Sequence, residues 1–175
     1  LLAPHVTQNL KKTKKLYIVH FVSINLTNLT IKIEMSISES KSILLLGEGN
    51  FSFTLSLLNR LIAAYVGLDI KIVTTCFDSE LNLHRKYPET KGIIAKLKKR
   101  GVIILYDFDA TICYKRQLNE YDQLFDCIIF NFPHLGIEDA KSHGYMTAHV
   151  MHSMQQSLKP IIGCFFISLA NAQWK

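Results

Sequence analysis

The chain has 175 residues, of which 49% are hydrophobic and 19% charged, and its formal net charge is +6 at pH 7. This length and this apolar content predict one folded domain with an ordinary core, and they argue against an intrinsically disordered chain. The basic charge makes an anionic partner plausible, nucleic acid first, although many basic proteins bind no nucleic acid.

The four cysteines, Cys76, Cys113, Cys127 and Cys164, lie far apart in the sequence. No two of them stand at the close spacing that is typical of a metal or redox pair. Most lie in or beside hydrophobic runs, where a free cysteine behaves as a small apolar residue. We therefore expect reduced core cysteines in an intracellular protein.

Residues 1–40 differ in pattern from the rest of the chain. A basic cluster precedes an apolar run at residues 16–24, which is the order found in secretory signals. The run is interrupted by His20 and Ser23, lacks a clear small-residue cleavage site and is too short to span a bilayer. We expect this segment to be an extension outside the fold, and we expect no membrane partner.

The first clear structural unit begins at residue 43. Four aliphatic residues, 43–46, predict a strand that is buried on both faces, and Gly47-Glu48-Gly49 follows as a turn that lets a ligand approach the main chain. After the turn the spacing changes to helical steps, with apolar residues at Phe51, Leu55, Leu58 and Ile62. Strand, glycine turn and helix together form the first half of a nucleotide-binding βαβ unit.

Strands and helices continue to alternate along the chain. Further strands are predicted at 70–77, 102–106, 125–130 and 161–169, and further helices at 79–87, 89–100 and 144–158. This alternation predicts a Rossmann-like α/β fold, with a mostly parallel sheet and helices on both faces. The predicted sheet stops after its fifth strand, so we expect residues 41–175 to be a C-terminally incomplete domain.

Polar residues follow the second and third predicted strands, at ends that meet on one edge of a parallel sheet. Asp78 stands where an acid can accept both hydroxyls of a ribose, or it can instead cap the next helix. Asp109 can accept a hydrogen bond from an adenine amino group while Ala110 presents its backbone to the ring edge, or it can be an ordinary loop acid. Two such acids, without a third glycine for a pyrophosphate, favour an adenosine ligand that lacks phosphates.

The glycine turn departs from two familiar phosphate-binding loops. Ser52 stands where the pattern G-x-G-x-x-G requires its last glycine, so the dinucleotide fingerprint is incomplete. No lysine follows at the place that a P-loop requires. Glu48 would repel a pyrophosphate, but it could pair with the amino group or the sulfonium side of S-adenosylmethionine.

The motif Asn131-Phe132-Pro133-His134 follows the fourth predicted strand. Pro133 fixes one backbone angle and keeps the preceding residue extended, so that polar groups and a ring can be aimed into the crevice. The Asn131 carbonyl can accept from a substrate N–H, an aromatic face can stack on a base, and His134 can accept a proton near neutral pH. This pattern is moderately specific for methyl transfer to nitrogen, and the alternative is a polar turn at the end of a strand.

Residues 43–136 resemble the Rossmann-like domain of ribosomal RNA uridine-N3 methyltransferases and their eukaryotic relatives, some of which carry an anticodon-binding domain. The resemblance rests mainly on Gly-Glu-Gly-Asn-Phe-Ser-Phe at 47–53 and Asn-Phe-Pro-His at 131–134. It implies a class I methyltransferase sheet, S-adenosylmethionine as the methyl donor, large-subunit ribosomal RNA as the acceptor, and a nucleolar or cytoplasmic location.

These motifs together predict the residues of the site. We expect cofactor contacts at Gly47, Glu48, Gly49, Asn50, Phe51, Ser52, Asp78, Asp109 and Ala110, and catalytic contacts at Asn131, Pro133 and His134. Asn131 would orient the base, and His134, or a water molecule that it holds, would remove the ring proton. Phe132 or Phe51 would stack on the base or on the adenine.

Two other functions remain open from the sequence: an NAD(P)-dependent Rossmann oxidoreductase, and a catalytically inactive module for RNA binding or assembly. The basic stretch at 91–100 could follow phosphates, or it could be the solvated face of a helix above Ile94 and Leu97. His149 and His152 lie one helical turn apart but lack a third ligand, so we expect no metal site there.

Overall fold

The computed structural model describes residues 18–23, 42–65, 67, 69–112, 118, 124–137, 139–160 and 162–169, with the backbone alone described for 18–23. Several expectations from the sequence lie outside these ranges. They concern Cys113, most of residues 1–40 and the end of the chain after residue 169.

The described elements alternate as the sequence predicts. The strands are β1 Ile18–Ser23, β2 Ser42–Leu46, β3 Lys71–Thr75, β4 Ile103–Leu105, β5 Cys127–Asn131 and β6 Cys164–Leu169. The helices are α1 Ser52–Ala64, α2 Glu80–Lys86, α3 Thr90–Lys99 and α4 Ala140–Met154, the last followed by a 3-10 turn at Gln155–Ser157.

Among the described residues, the strands form one six-stranded sheet in the order β1-β6-β5-β2-β3-β4, and every neighbouring pair is parallel. The chain runs outward from β2 through β3 to β4, then crosses to the other side of β2 for β5 and β6. The direction of winding therefore reverses between β2 and β5, and a ligand crevice is expected at the carboxyl ends of these two strands. The predicted Rossmann-like α/β fold is confirmed.

Helices cover both faces of the sheet, and the side chains of β2 alternate between the two cores. Ile43 and Leu45 pack on the face covered by α1, α2 and α3, whereas Leu44 and Leu46 pack on the face covered by α4. These four side chains are at most 1% exposed. Full burial on both faces explains why this strand reads as an uninterrupted aliphatic run.

The N-terminal region contains a strand that the sequence did not predict. Ile18–Ser23 pairs in parallel with β6, in a register that places Ile18 opposite Cys164 and Ser23 opposite Leu169. For these six residues the structure differs from the expected extension outside the fold. Local pattern could not reveal this pairing, because the partner strand lies more than 140 residues further along the chain. The domain boundary near residue 40 stays a prediction.

The predicted buried face of α1 is wrong in part. Ile62 is 51% exposed and Leu55 only partly buried, whereas the helix buries Thr54, Leu57, Leu58 and Leu61. On this buried face the Thr54 hydroxyl points inward, where it lies 2.9 Å from the hydroxyl of Thr74 on β3. In α3 the predicted core residues Ile94 and Leu97 are buried, as expected.

The amino edge of the sheet is held by a buried carboxylate. Asp126 precedes β5, and its Oδ2 accepts hydrogen bonds from the backbone N–H and the hydroxyl of Ser42 at 2.9 and 2.8 Å. Its Oδ1 lies 2.7 Å from Nζ of Lys159. Asp126 is 8% exposed, so this network joins the starts of β2 and β5 with little competition from water.

Candidate active site

The carboxyl edge of the sheet carries a series of loops that are hydrogen-bonded to one another. The backbone N–H of Glu48 donates to the carbonyl of Thr75 at 2.8 Å, which joins the glycine turn to the end of β3. Asp107 N–H donates to the Asp78 carbonyl at 3.2 Å and joins the loops after β3 and β4. Adjacent strands lie about 4.8 Å apart. The glycine turn after β2 therefore lies between the Asp78 loop on one side and the Asn131 loop on the other.

Three non-glycine residues at this edge have a left-handed backbone. Phe51 has φ of 61°, Asp107 of 52° and Phe132 of 50°, and each lies in a loop that follows a strand. Such conformations cost roughly 1–3 kcal/mol each, and they cluster at functional sites. The strain is therefore concentrated at the edge where the sequence predicts the ligand.

Gly47 is required by its backbone and by its surroundings. Its φ is 61°, and a Cβ added there would lie 2.7 Å from the ring of Phe130 on β5. Its N–H donates to the Thr75 hydroxyl at 3.2 Å. At Gly49 there is more space, because an added Cβ would lie 3.9 Å from the hydroxyl of Tyr87. The turn thus follows the sheet edge closely and leaves its main chain accessible beside Tyr87.

Glu48 turns inward between the two glycines. Its Oε2 accepts hydrogen bonds from the backbone N–H and the hydroxyl of Thr54 at 3.3 and 3.2 Å, in the first turn of α1. The residue is 7% exposed, and burial raises the pKa of its carboxyl to about 7, although the hydrogen bonds from Thr54 oppose this. The Glu48 carboxyl therefore keeps its proton to a higher pH than an exposed glutamate does, and pairing with a ligand cation stays a prediction.

The next three residues shape the start of α1. Oδ1 of Asn50 accepts from the N–H of Ser52 at 3.1 Å, and its Nδ2 donates to Glu89 at 3.3 Å. The Phe51 ring is fully buried, edge-on to Tyr106 with ring centroids 6.3 Å apart. It offers no face for stacking, so Phe51 can contact a ligand only through its backbone.

Asp78 does not cap the following helix, because another residue does so. The hydroxyl of Ser79 accepts from Asn82 N–H at 3.3 Å and caps α2. The two carboxylate oxygens of Asp78 instead lie 2.6 and 2.9 Å from Nζ of Lys86. The hydrogen bond to Asp78 raises the pKa of Lys86. The Asp78 side chain is 23% exposed, so a ribose could reach it by sharing or displacing the lysine.

Asp109 shapes its own loop after β4. Its Oδ1 accepts from the N–H and the hydroxyl of Thr111 at 2.9 and 2.6 Å. Ala110 is partly buried against the core on the α4 side of the sheet. One carboxylate oxygen of Asp109 is thus used in a local turn, and an adenine contact stays a prediction for the other.

The Asn131 motif ends β5. Oδ1 of Asn131 accepts from the hydroxyl of Ser168 on β6 at 2.8 Å, which fixes its carbonyl toward β6. Phe132 N–H donates to the Ser168 carbonyl at 2.8 Å, and the Phe132 ring is 47% exposed. Pro133 is buried and His134 is exposed. The expectation that Pro133 keeps Phe132 extended is wrong, because Phe132 has a left-handed φ of 50°. Of the two aromatic residues that were predicted to stack, only Phe132 therefore offers a ring face.

His134 has a neighbour that the sequence reasoning missed. Its ring centroid lies 4.7 Å from that of His143 in the first turns of α4, with 46° between the ring planes. The helix begins four residues before its predicted start, because Asp139 accepts hydrogen bonds from the N–H groups of Lys141 and Ser142 at 3.1 and 3.3 Å. This earlier start places His143 beside the motif.

Lys86 and Ser168 were also missed, and no local signal marks either residue. Ser168 meets Asn131 because β5 and β6 are paired, which is a contact between distant parts of the chain. Lys86 meets Asp78 because α2 returns its last turn over the end of β3. An alternation of strands and helices predicts the edge, but it does not predict which side chains from neighbouring elements meet there.

The structure shows no ligand site at the basic stretch of residues 91–100 or at His149 and His152 on α4, among the residues that it describes. The side chains of Lys91, Lys96, Lys98, Lys99 and Arg100 are exposed on α3. Within the ranges given above, no group of three His, Cys, Asp or Glu residues is placed to hold a metal ion. No helix among the residues described is both long and apolar enough to cross a membrane.

The buried thiols are protected from ionisation. Burial raises the pKa of Cys76 to about 11, and it raises the pKa of Cys127 further. Cys127 and Cys164 occupy matching positions on β5 and β6, and both are free thiols. Each therefore packs as a small apolar residue.

The doubly wound parallel sheet defines a Rossmann-like α/β protein, in which the glycine turn follows β2 where the winding reverses and polar residues follow the neighbouring strands. The profile of the BMT5-like family, described as rRNA (uridine-N3-)-methyltransferase BTM5-like, matches residues 44–175. The chain belongs to this family.

Curated relatives share the same region at moderate identity. The chain is 40% identical over 100 residues to "Uncharacterized protein At4g26485" of Arabidopsis thaliana, covering 57% of this chain and 44% of that protein. It is 36% identical over 105 residues to "Heavy metal-associated isoprenylated plant protein 41" of the same plant, with shares of 60% and 19%.

A third relative comes from an animal. The chain is 36% identical over 98 residues to "Ferredoxin-fold anticodon-binding domain-containing protein 1 homolog" of Mus musculus, covering 55% of this chain and 14% of that protein. The matched region therefore spans less than half the length of each of these three relatives.

Proposed function

We propose that this chain carries the methyl-donor site of an S-adenosylmethionine-dependent RNA methyltransferase that acts on uridine N3 in large-subunit ribosomal RNA. The main support is the position of the glycine turn and the Asn131 motif at the ends of adjacent strands β2 and β5. A donor site and an acceptor site must lie side by side for a methyl group to pass between them. Membership of the uridine-N3 methyltransferase family supports the same reaction.

The residues at this edge fit an adenosine ligand without phosphates. Gly47 leaves no room for a side chain beside Phe130, so that the turn stays close to the strand ends. The partly exposed Asp78 can accept ribose hydroxyls, and Glu48 would oppose a pyrophosphate in its ionised form. In the proposal, the loop from Gly47 to Ser52 holds the cofactor together with Asp78, Asp109 and Ala110.

S-adenosylmethionine supplies an electrophilic methyl group on sulfur when bound. The contribution of the protein is then alignment, which can lower a barrier by roughly 7–11 kcal/mol. Asn131 orients the base with its amide, and Phe132 offers its exposed ring face for stacking. Pro133 fixes one backbone angle directly after these two residues.

The direct test is calorimetric titration of the full-length protein with S-adenosylmethionine and, separately, with NAD. We expect saturable binding of the first only, and weakening of at least tenfold in Asp78→Ala. Asp69→Ala is the matched control, because Asp69 is an exposed acid two residues before β3, at the opposite edge of the sheet. Binding of NAD instead would favour the oxidoreductase alternative, and undiminished binding in Asp78→Ala would contradict the assigned site.

The substrate is tested by mass spectrometry of ribosomal RNA nucleosides from cells that lack the gene. We expect N3-methyluridine to fall, and to return when the wild-type gene is restored but not when Asn131→Ala is. An unchanged level would remove the substrate proposal.

Binding of RNA without S-adenosylmethionine would favour the inactive assembly module. A nucleolar or cytoplasmic location forms part of the proposal, and imaging of the tagged full-length protein tests it.

A further inference from the structure

The two histidines beside the Asn131 motif have defined hydrogen-bonding roles. The backbone N–H of Gly136 donates to Nδ1 of His134 at 2.7 Å. A backbone N–H can only donate, so Nδ1 must present its lone pair. In neutral His134 the ring proton therefore lies on Nε2, and the exposed side chain presents an N–H donor.

His143, in the first turns of α4, also has a defined hydrogen-bonding role. It is 8% exposed, and its Nε2 lies 2.7 Å from the carbonyl of Ile137, which can only accept. Nε2 of His143 therefore carries a proton and ties α4 to the loop at residues 134–137. The other ring nitrogen, Nδ1, is buried and has no hydrogen-bond partner among the described residues.

We propose that His134 acts as a hydrogen-bond donor to a carbonyl oxygen of the acceptor base, and that His143 is the residue that positions it; this rests on the proposed function. It departs from the role of proton acceptor that the sequence suggested for His134. Accepting a proton at Nδ1 would place two N–H groups face to face and break the contact with Gly136. The lone pair that a base needs is thus already used.

The chemistry of uracil makes a donor useful. The N3 proton passes to solvent water, and the negative charge that remains spreads over the two carbonyl oxygens beside N3. The N3 electron pair then forms the bond to the methyl carbon, while the electron pair of the carbon–sulfur bond stays on sulfur. An N–H group aimed at one of those oxygens stabilises the charge, as the donors of an oxyanion hole do.

Contact between the His134 and His143 rings helps to hold His134 in one orientation. His134 is exposed, and the hydrogen bond from Gly136 holds its ring at one atom only. Contact with the His143 ring at 4.7 Å restricts that rotation, and the bond from His143 to Ile137 fixes the loop that carries Gly136. His143 is therefore a positioning residue that need not touch the substrate.

Long-range ¹H–¹⁵N NMR of the histidine rings in the full-length protein tests the tautomer without reference to activity. We expect His134, assigned by the loss of its signals in His134→Gln, to show the Nε2–H tautomer. In His143→Leu we expect mixed tautomers, and in His143→Gln, whose amide can still donate to Ile137, a partial return. The Nδ1–H form in the wild-type protein would overturn the proposal.

Kinetics of the same variants test the donor role. We expect kcat to fall about 100-fold in His134→Phe, the loss typical of a missing oxyanion donor, and by less than tenfold in His134→Gln, which keeps an N–H group. We expect His143→Leu to lower kcat and leave KM for S-adenosylmethionine unchanged. Equal loss in His134→Gln and His134→Phe would overturn the donor role, whereas failure of the wild-type protein to methylate uridine would refute the proposed function instead.

Discussion

Replacing Glu48 by glutamine is expected to stabilise the protein at neutral and alkaline pH. Burial raises the pKa of this carboxyl from 4.5 to about 7. The folded state therefore holds a proton between these two pH values that the unfolded state has already released. The stability that this proton contributes is fully present below pH 4.5 and is lost as the pH rises through 7.

The magnitude follows from the shift in pKa. A difference of roughly 2.5 units, at about 1.4 kcal/mol per unit, corresponds to about 3 kcal/mol of unfolding free energy. A glutamine side chain resembles the protonated acid and does not ionise. The Glu48→Gln variant should therefore match the wild type near pH 4.5 and exceed its unfolding free energy by about 3 kcal/mol at pH 8.

Urea unfolding at pH 4.5, 6, 7 and 8, at constant ionic strength, measures this difference. The control is Glu89→Gln, the same substitution at an exposed position, which should change the unfolding free energy by less than about 0.5 kcal/mol. An equal offset at every pH would refute the reasoning. A variant that becomes less stable than the wild type as the pH rises would show that the hydrogen bonds from Thr54 outweigh burial.

Three further predictions follow from the same contacts. Gly47→Ala should lower the unfolding free energy by about 2–4 kcal/mol, because it combines a left-handed backbone with a Cβ 2.7 Å from an aromatic ring. The control Gly67→Ala, whose Cβ would meet nothing within 4 Å, should lower it by only about 1–2 kcal/mol. Equal losses in urea unfolding would contradict the steric argument. Asp126→Ala should lower the unfolding free energy by about 2–4 kcal/mol and leave the affinity for S-adenosylmethionine unchanged where the variant remains folded. Asp69→Ala is the surface control. A decrease in unfolding free energy below about 1 kcal/mol would show that the buried network contributes little. If Glu48 pairs with the charged end of the methyl donor, binding at pH 7 should release part of a proton, seen as a calorimetric enthalpy that depends on the ionisation enthalpy of the buffer; no buffer dependence would leave Glu48 a structural residue only.

The sequence predicts the sheet well because its evidence is local. The aliphatic run before Gly47 and the alternation of strands with helices are properties of neighbouring residues, and they suffice to place the glycine turn and Asn131 on one edge. The capping of α2 by Ser79 follows in the same way from a short polar side chain just before a helix.

What the sequence misses depends on contacts between distant residues. The pairing of Ile18–Ser23 with β6 has no local marker, and neither has the bond from Ser168 to Asn131. In α1 the buried residues Thr54, Leu57, Leu58 and Leu61 also follow a helical repeat, which is shifted by about one position from the predicted one. The first two contacts depend on tertiary pairing, and α1 carries two apolar faces between which the local pattern alone does not decide.

The sequence also does not predict whether the Phe51 ring is buried or exposed. Its place directly after the glycine turn suggests a ring that faces the ligand, yet the Phe51 ring is fully buried, with a left-handed backbone at φ 61°. Phe132 has almost the same φ, 50°, and its ring is 47% exposed. Position along the chain thus does not decide which aromatic residue is available to a base.

The central claim is that the glycine turn, Asp78, Asp109 and Asn131 line a single adenosine site at the switch point. A crystal structure of the full-length protein with S-adenosylhomocysteine tests it most directly. We expect ribose hydroxyls within hydrogen-bonding distance of Asp78 and the homocysteine end beside the loop from Gly47 to Ser52, facing Asn131. Ligand density at another edge of the sheet, or a ribose beyond the reach of Asp78, would contradict it.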